Sequence, residues 1–319
     1  MMSNVIISDS VTNSFNITAY AKHQINPAVS YLLRLRSTKS QKTMRSCINC
    51  IVAIFGPGDF LSFDWTRLDK TMVQIIIQGL LKQNKAPRTI NLMLCAVKGI
   101  AEEARSSRLI DSETYQDIKS VKRVSGSRVS KGRMLELHET QAIFQYLERI
   151  DSVMSIRDAA MFAVMLGCGL RRAEIAGLKY EDMDFGSSQI LIRGKGNKER
   201  KNYMSDETKE QVLKWVNQVR GDHAGYLFNR IRRHGDVTGD RLTADAIGFI
   251  VNRVLNALNI KKFTPHDLRR TYASALLDNG EDMFTVKDAL GHASVTTTQQ
   301  YDKRGTKRLK EAAKKLTFK

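Results

Sequence analysis

The residues able to do chemistry crowd into one stretch near the end of the chain. It reads Thr264-Pro265-His266-Asp267-Leu268-Arg269-Arg270, an apolar run, Leu290-Gly291-His292, and then Tyr301. His266 and Arg269 lie three apart, so a helix projects both from one face. Pro265 fits the first turn of that helix, where its missing N–H costs nothing. Gly280 after Asn279 and Gly291 after Leu290 read as helix stops. His292 then falls at a turn, near the start of a helix carrying Tyr301. Two imidazoles, a guanidinium and a phenol are thereby brought into one small volume. A protonated phenol is a poor nucleophile and needs a neighbouring base or a cationic pocket, and the guanidinium fork matches phosphate oxygens. The set suits attack by a tyrosine on a phosphodiester. Each residue also has an ordinary structural use, and it is the joint spacing that points to chemistry.

Two upstream motifs extend the set. Gly169-Leu170-Arg171-Arg172-Ala173-Glu174-Ile175 puts Arg171 and Glu174 on one helical face, and Gly194-Lys195-Gly196-Asn197-Lys198-Glu199-Arg200 reads as the turn region of a β-hairpin. With the three motifs above, they stand in the order found in the tyrosine recombinases, or phage integrases. The chain resembles that family over roughly residues 135 to 310. The resemblance implies a mainly α fold with a small β-hairpin element, in which an N-terminal helical core-binding domain and a C-terminal catalytic domain form a DNA clamp.

The resemblance also implies roles. Arg171 and Arg269 clamp the non-bridging oxygens of the scissile phosphate and stabilise the charge of the transition state. Lys195, on its hairpin, is the general acid for the leaving 5′ oxygen. His266 assists proton transfer on the tyrosine side, and His292 donates a hydrogen bond to the phosphate. Tyr301 attacks to form a 3′-phosphotyrosyl bond. Glu174 is expected to orient Arg171 or His266 rather than to react. The implied function is site-specific recombination or integration. It runs on double-stranded DNA with paired sites, in a homo-tetramer, through a Holliday junction, with accessory directionality or host factors as further partners. The alternatives are a type IB topoisomerase, which uses similar chemistry as a monomer, and a non-catalytic DNA-binding regulator. Cys168 stands where the family often has Thr, and Asp302-Lys303 follow Tyr301 where many members have a His; both bear on subfamily. No arm-binding domain is expected before Pro27.

No cofactor or metal is expected. Gly194-Lys195-Gly196 lacks Walker spacing and a following Ser or Thr, and no His, Cys, Asp or Glu cluster has ligand spacing. Cys47-x-x-Cys50 lies in a predicted helix without a second ligand pair nearby and reads as structural. Few cysteines, no secretory signal and no span longer than Ile75-Ile76-Ile77 point to a reducing, cytoplasmic compartment and no membrane partner.

These residues need elements to position them. The 319 residues are enough for two domains. The net charge of +18 divides evenly, with 18 basic against 9 acidic residues up to residue 130 and 33 against 24 beyond it. Two basic parts suit a protein that grips a polyanion. Residues 1–26 read as a flexible N-terminal segment. Residues 27–120 read as a bundle of four or five helices that forms a core DNA-binding domain, with Met44, Cys47, Ile48, Ile51 and Ile54 on one stripe and Ile90, Leu94, Val97 and Ile100 on another. Residues 121–133 form a basic Ser/Gly linker whose Lys122, Arg123, Arg128, Lys131 and Arg133 are placed to touch phosphates. Residues 134–319 form the catalytic domain. Within it, helices are expected over 138–150, 156–166, from Arg171 to 182–184, over 207–219 and over 243–258. A hairpin is expected over 189–204, and residues 220–241 read as irregular. A closing tail with a Leu309, Ala312, Ala313, Leu316 stripe is expected to dock on a neighbouring protomer.

Overall fold

Side chains that accept from a free backbone N–H stand at the start of most helices, and the chain folds accordingly. The computed structural model describes residues 26–126, 132–194, 198–299, 301 and 313–314. Its contacts divide the chain into two units, Met1–Ser130 and Lys131–Lys319.

The first unit holds α1 (Pro27–Arg34), α2 (Thr38–Val52), α3 (Lys70–Lys82), α4 (Pro87–Ser106) and α5 (Ser112–Ser120). Asn26, Ser37, Asp69 and Asp111 cap α1, α2, α3 and α5, while Pro87 opens α4. α4 packs against each of the other four. Its stripe of Ile90, Leu94, Val97 and Ile100 is buried, worth about 1.5–3 kcal/mol for each side chain. Gly99 lets α1 approach: a Cβ there would lie 2.2 Å from the Tyr31 ring. The expected linker is tied down where it leaves this unit. Val121 is buried, and Val124 exchanges two hydrogen bonds with the Asn91 side chain, both 2.9 Å.

The second unit begins with α6 (Leu137–Ile150), α7 (Val153–Cys168) and α8 (Arg172–Gly177), followed by β1 (Met183–Asp184), β2 (Gln189–Arg193) and β3 (Glu199–Tyr203). Then come α9 (Asp206–Trp215), β4 (Asn229–Ile231), β5 (Val237–Arg241), α10 (Ala244–Leu258), α11 (Pro265–Asp278), α12 (Met283–Leu290) and α13 (Val295–Gln299). α7 is apolar nearly all round and central, packed on α6, α9 and α11. β1, β2 and β3 form an antiparallel sheet in that order, with Arg193 opposite Glu199 at the hairpin end.

Three expectations change here. The helix after Arg171 stops at Gly177, because Leu178 is extended and its carbonyl accepts the Leu227 N–H at 2.8 Å. Residues 182–184 therefore end a 3-10 turn and form β1 instead of closing a helix. Residues 220–241 are not irregular throughout, since β4 and β5 pair as a second hairpin. Its β5 residues are largely exposed, so no apolar alternation marks it.

α7 also carries a buried charge. Asp158, fully buried, pairs with Arg157 at 2.7 Å and with Arg253 of α10, and Arg157 reaches the Asn229 carbonyl at 3.2 Å. Asp158→Ala strands Arg157 and should cost about 3–5 kcal/mol. Trp65 belongs to the first unit and Trp215 to the second. In a Trp65→Phe background, urea unfolding followed by Trp215 fluorescence should register the loss; an unmoved midpoint would refute the role given to this pair.

Candidate active site

α11 supplies most of the site. Thr264 and Asp267 form a capping box at its start, with Asp267 Oδ2 accepting from the Thr264 N–H at 2.9 Å and hydroxyl at 2.7 Å. One turn in, His266 and Arg269 leave from the same face. Arg269 is 1 % exposed. It donates to the Gly169 carbonyl at 2.6 Å and the Leu290 carbonyl at 2.5 Å, and its Nη2 lies 3.0 Å from His292 Nε2. Both carbonyls come from helix ends: Gly169 caps α7 at φ +62° and Gly291 caps α12 at φ +62°. That left-handed backbone favours glycine.

Arg171 stands at the N-cap of α8. Its N–H and its Nη1 both bond Glu174, each at 2.8 Å, and Nη2 reaches the Gly291 carbonyl at 3.3 Å. Glu174 is buried and also takes Arg200 of β3 in a two-pronged pair at 3.0 and 2.9 Å, with Arg269 Nη1 at 3.9 Å. Burial alone would raise its carboxyl. Hydrogen bonds from Arg200 and the Arg171 N–H, with the arginine charges, outweigh that and hold it at about 2.

Tyr301 stands just past α13 rather than on it; its N–H bonds the Thr298 carbonyl at 2.9 Å. The side chain is 3 % exposed. Its hydroxyl lies 3.3 Å from His266 Nε2, and its ring stacks on His292 at 5.8 Å between centroids. Burial first, then the arginines, lower both histidines: His266 below its ordinary value, and His292 to about 4. Both are therefore neutral at pH 7. An arginine only donates, so His292 Nε2 is an acceptor and its proton sits on Nδ1, 2.9 Å from Thr298 Oγ1. Both ring nitrogens are thus occupied. In this substrate-free arrangement His292 accepts from Arg269 and donates to Thr298.

Arg171, Glu174, His266, Arg269, His292 and Tyr301 are brought together. Lys195, Arg128 and Lys131 lie outside the described residues. Lys122 and Arg123 are exposed. Arg133 has a different job from the one expected: it forks onto Glu139 at 2.6 and 2.8 Å and reaches the Lys261 and Lys262 carbonyls. Sequence reasoning passed over Arg200. Its signal was the strand period, which turns Arg200 and Asn202 inward while Glu199, Lys201 and Tyr203 face out; a charge on an inward position needs a partner. Among the described residues, no group of three or more His, Cys, Asp or Glu side chains could hold a metal ion, and no helix is long and apolar enough to cross a membrane.

The phage integrase family model matches residues 133–308, which contain the whole site. The chain belongs to this family. Curated relatives of this integrase-family chain are tyrosine recombinases. XerC of Listeria monocytogenes serovar 1/2a is 36% identical over 171 residues, 51% of this chain and 55% of the relative. XerC of Pediococcus pentosaceus is 26% identical over 261 residues, 79% and 83% of the two chains. The chain spans about half the length of several of the relatives it matches. Among solved structures, the Tn1549 transposon integrase bound to transposon right end DNA superposes with a TM-score of 0.66 at 17% identity, covering 90% of this chain and 98% of that one. A lambda integrase dimer on a core site gives 0.64 at 16% identity, with 85% and 91% covered. These likenesses establish the tyrosine-recombinase fold.

The histidine environment predicts a titration. In side-chain NMR spectra of the DNA-free protein, His292 should stay neutral down to about pH 4, and His266 should protonate below its ordinary value of about 6.5. Both stabilise the folded state fully above that value and progressively less as the pH falls through the folded pKa. Protonation of His292 near its ordinary value would contradict the assigned Arg269 bond.

Proposed function

We propose that this chain is a site-specific DNA recombinase or integrase that cuts and rejoins strands through a 3′-phosphotyrosyl bond on Tyr301. The observation that carries the reading is the Tyr301 hydroxyl, 3.3 Å from a neutral His266 Nε2 in a pocket walled by arginines. In the proposed step the Tyr301 oxygen attacks phosphorus, and its proton passes to His266 Nε2. The bond to the 5′ oxygen breaks, and that oxygen takes a proton from Lys195. Rejoining is the reverse: a 5′ hydroxyl attacks the phosphotyrosine and the phenol leaves, so the bond energy is kept and no nucleotide is consumed. Arg171 and Arg269 donate to the non-bridging oxygens. They are held before substrate arrives, by Glu174 and by the Gly169, Leu290 and Gly291 carbonyls, which is the preorganisation that lowers a barrier. Burial, with the charge of Arg171, lowers Arg269 to about 10, still a cation at pH 7. His292 keeps Arg269 aligned.

The substrate is double-stranded DNA with paired recombination sites. Residues 27–120 act as the core DNA-binding domain and residues 134–319 as the catalytic domain, closing on DNA as a clamp. Lys122, Arg123, Arg128 and Lys131 supply phosphate contacts. Four copies assemble on two sites, exchange one strand at a time through a Holliday junction, and dock through the tail after Tyr301, which lies almost wholly outside the described residues. The setting is a mobile element or chromosome in the cytoplasm, with accessory directionality or host factors.

Tyr301→Phe should abolish covalent trapping on a nicked suicide duplex while leaving duplex affinity within a few-fold of wild type. An adduct formed by the variant, or none by wild type on any flanking junction, would refute the reading. Lys195→Ala should slow cleavage by roughly 10²–10⁴-fold, the usual worth of a general acid. A 5′-bridging sulfur, which leaves without a proton, should restore the rate; no restoration would remove Lys195 from that role.

A further inference from the structure

Arg270 has no part in the mechanism above, yet it is built into the site. It is 5 % exposed, and its guanidinium carbon lies 5.1 Å from the centroid of the Tyr301 ring. Its Nε is 3.9 Å from Asp267 Oδ1. That same oxygen accepts the Arg133 N–H at 2.9 Å. Gly132 closes over the pair: a Cβ there would lie 2.8 Å from Arg270 Nη2 and 2.9 Å from Asp267 Oδ1. Three residues on, the Leu135 N–H bonds Thr271 Oγ1 at 2.9 Å. The main chain from 132 to 135 is thus stitched along α11 and packs the guanidinium against the phenol.

We propose that Arg270 is a positioning residue for Tyr301: held by Gly132 and Asp267, its guanidinium fixes the phenol ring where the hydroxyl meets His266. The proposal rests on the phosphodiester-cleaving reading of the site. Tyr301 needs such a hold because it follows α13, a helix of five residues, too short to fix a ring by itself. A planar cation over a desolvated ring supplies it. The same charge acts on the base. His266 faces Arg269, Arg270 and Asp267 of its own helix, Arg171 before α8, His292 after α12, and Tyr301. After burial, Arg270 does most to lower its pKa, and Asp267 opposes. Arg270 therefore both aims the nucleophile and favours a neutral acceptor for its proton.

The test compares wild type, Arg270→Lys, Arg270→Gln, Gly132→Ala and the Gly132→Ala/Arg270→Gln double variant in the full chain, each with wild-type circular dichroism and melting. Tetranitromethane, used without DNA, probes the ring, and nitration at Tyr301 is mapped by mass spectrometry. Nitration should be slow in wild type and roughly tenfold faster in Arg270→Gln and Gly132→Ala, with Arg270→Lys between. The double variant should be no faster than Arg270→Gln, because both changes release one contact. On a duplex that wild type traps covalently, the acid limb of the cleavage rate should move to higher pH in Arg270→Gln, since His266 loses a neighbouring cation. Nitration of Arg270→Gln no faster than wild type, additive effects in the double variant, or an unmoved acid limb would overturn the proposal. If Arg270→Gln does not fold, Gly132→Ala carries the nitration test, and protection equal to wild type overturns the proposal. Failure of wild type to trap any duplex would instead sink the cleavage reading, and nitration would still decide the position of the ring.

Discussion

One buried carboxylate holds the site in shape. Glu174 faces Arg171, Arg200 and Arg269 from three separate parts of the second unit: the start of α8, the strand β3 and the middle of α11. Three guanidinium groups this close repel one another, and burial adds to the cost at Arg269, whose pKa is lowered to about 10. A single anion with both oxygens engaged offsets that repulsion and sets the spacing between the guanidinium groups that would receive a phosphate. Glu174 is therefore no proton donor. Held at about 2, it is ionised at pH 7.

The fold delivers groups to that carboxylate with little freedom left. Two helices end in left-handed glycines, and the carbonyls beside those ends, together with that of Gly291 itself, point at Arg269 and Arg171. The sheet brings Arg200 in from a strand whose other face is wet. α7, the apolar centre of the unit, fixes α11 against itself and so fixes His266 and Arg269. Substrate would meet cations already aligned and imidazoles already neutral, so little reorganisation would be left for the reacting step.

Much of this was readable in residue order. His266 and Arg269 share a face because three residues make most of a helical turn, and Pro265 and Gly291 punctuate that stretch as their backbone preferences require. Local signals of this kind reach a few residues. The Glu174–Arg200 pair is separated by 26 positions and depends on how the hairpin seats against α8, which no local pattern encodes. Arg133 looked like one more linker cation, because nothing in its neighbourhood says that Glu139 turns back to cap α6 and take its fork. The β4–β5 hairpin is polar on nearly every position and so lacks the alternation that betrays a strand. His292 was recognised, but its contact with Arg269 was not, and the direction of that bond follows from an arginine that must donate.

Stability is the most direct measure of whether Glu174 carries this arrangement. In the Trp65→Phe background, unfolding of the second unit, followed by Trp215 fluorescence, should be compared among the parent, Glu174→Gln, Arg200→Gln and Glu174→Gln/Arg200→Gln. The isosteric loss of charge should cost about 3–5 kcal/mol, as for a broken buried pair. Removing Arg200 as well should recover part of that loss, because one stranded cation is gone. A Glu174→Gln variant as stable as the parent, or a double variant that loses the sum of both single changes, would contradict the claim that one carboxylate organises the arginines.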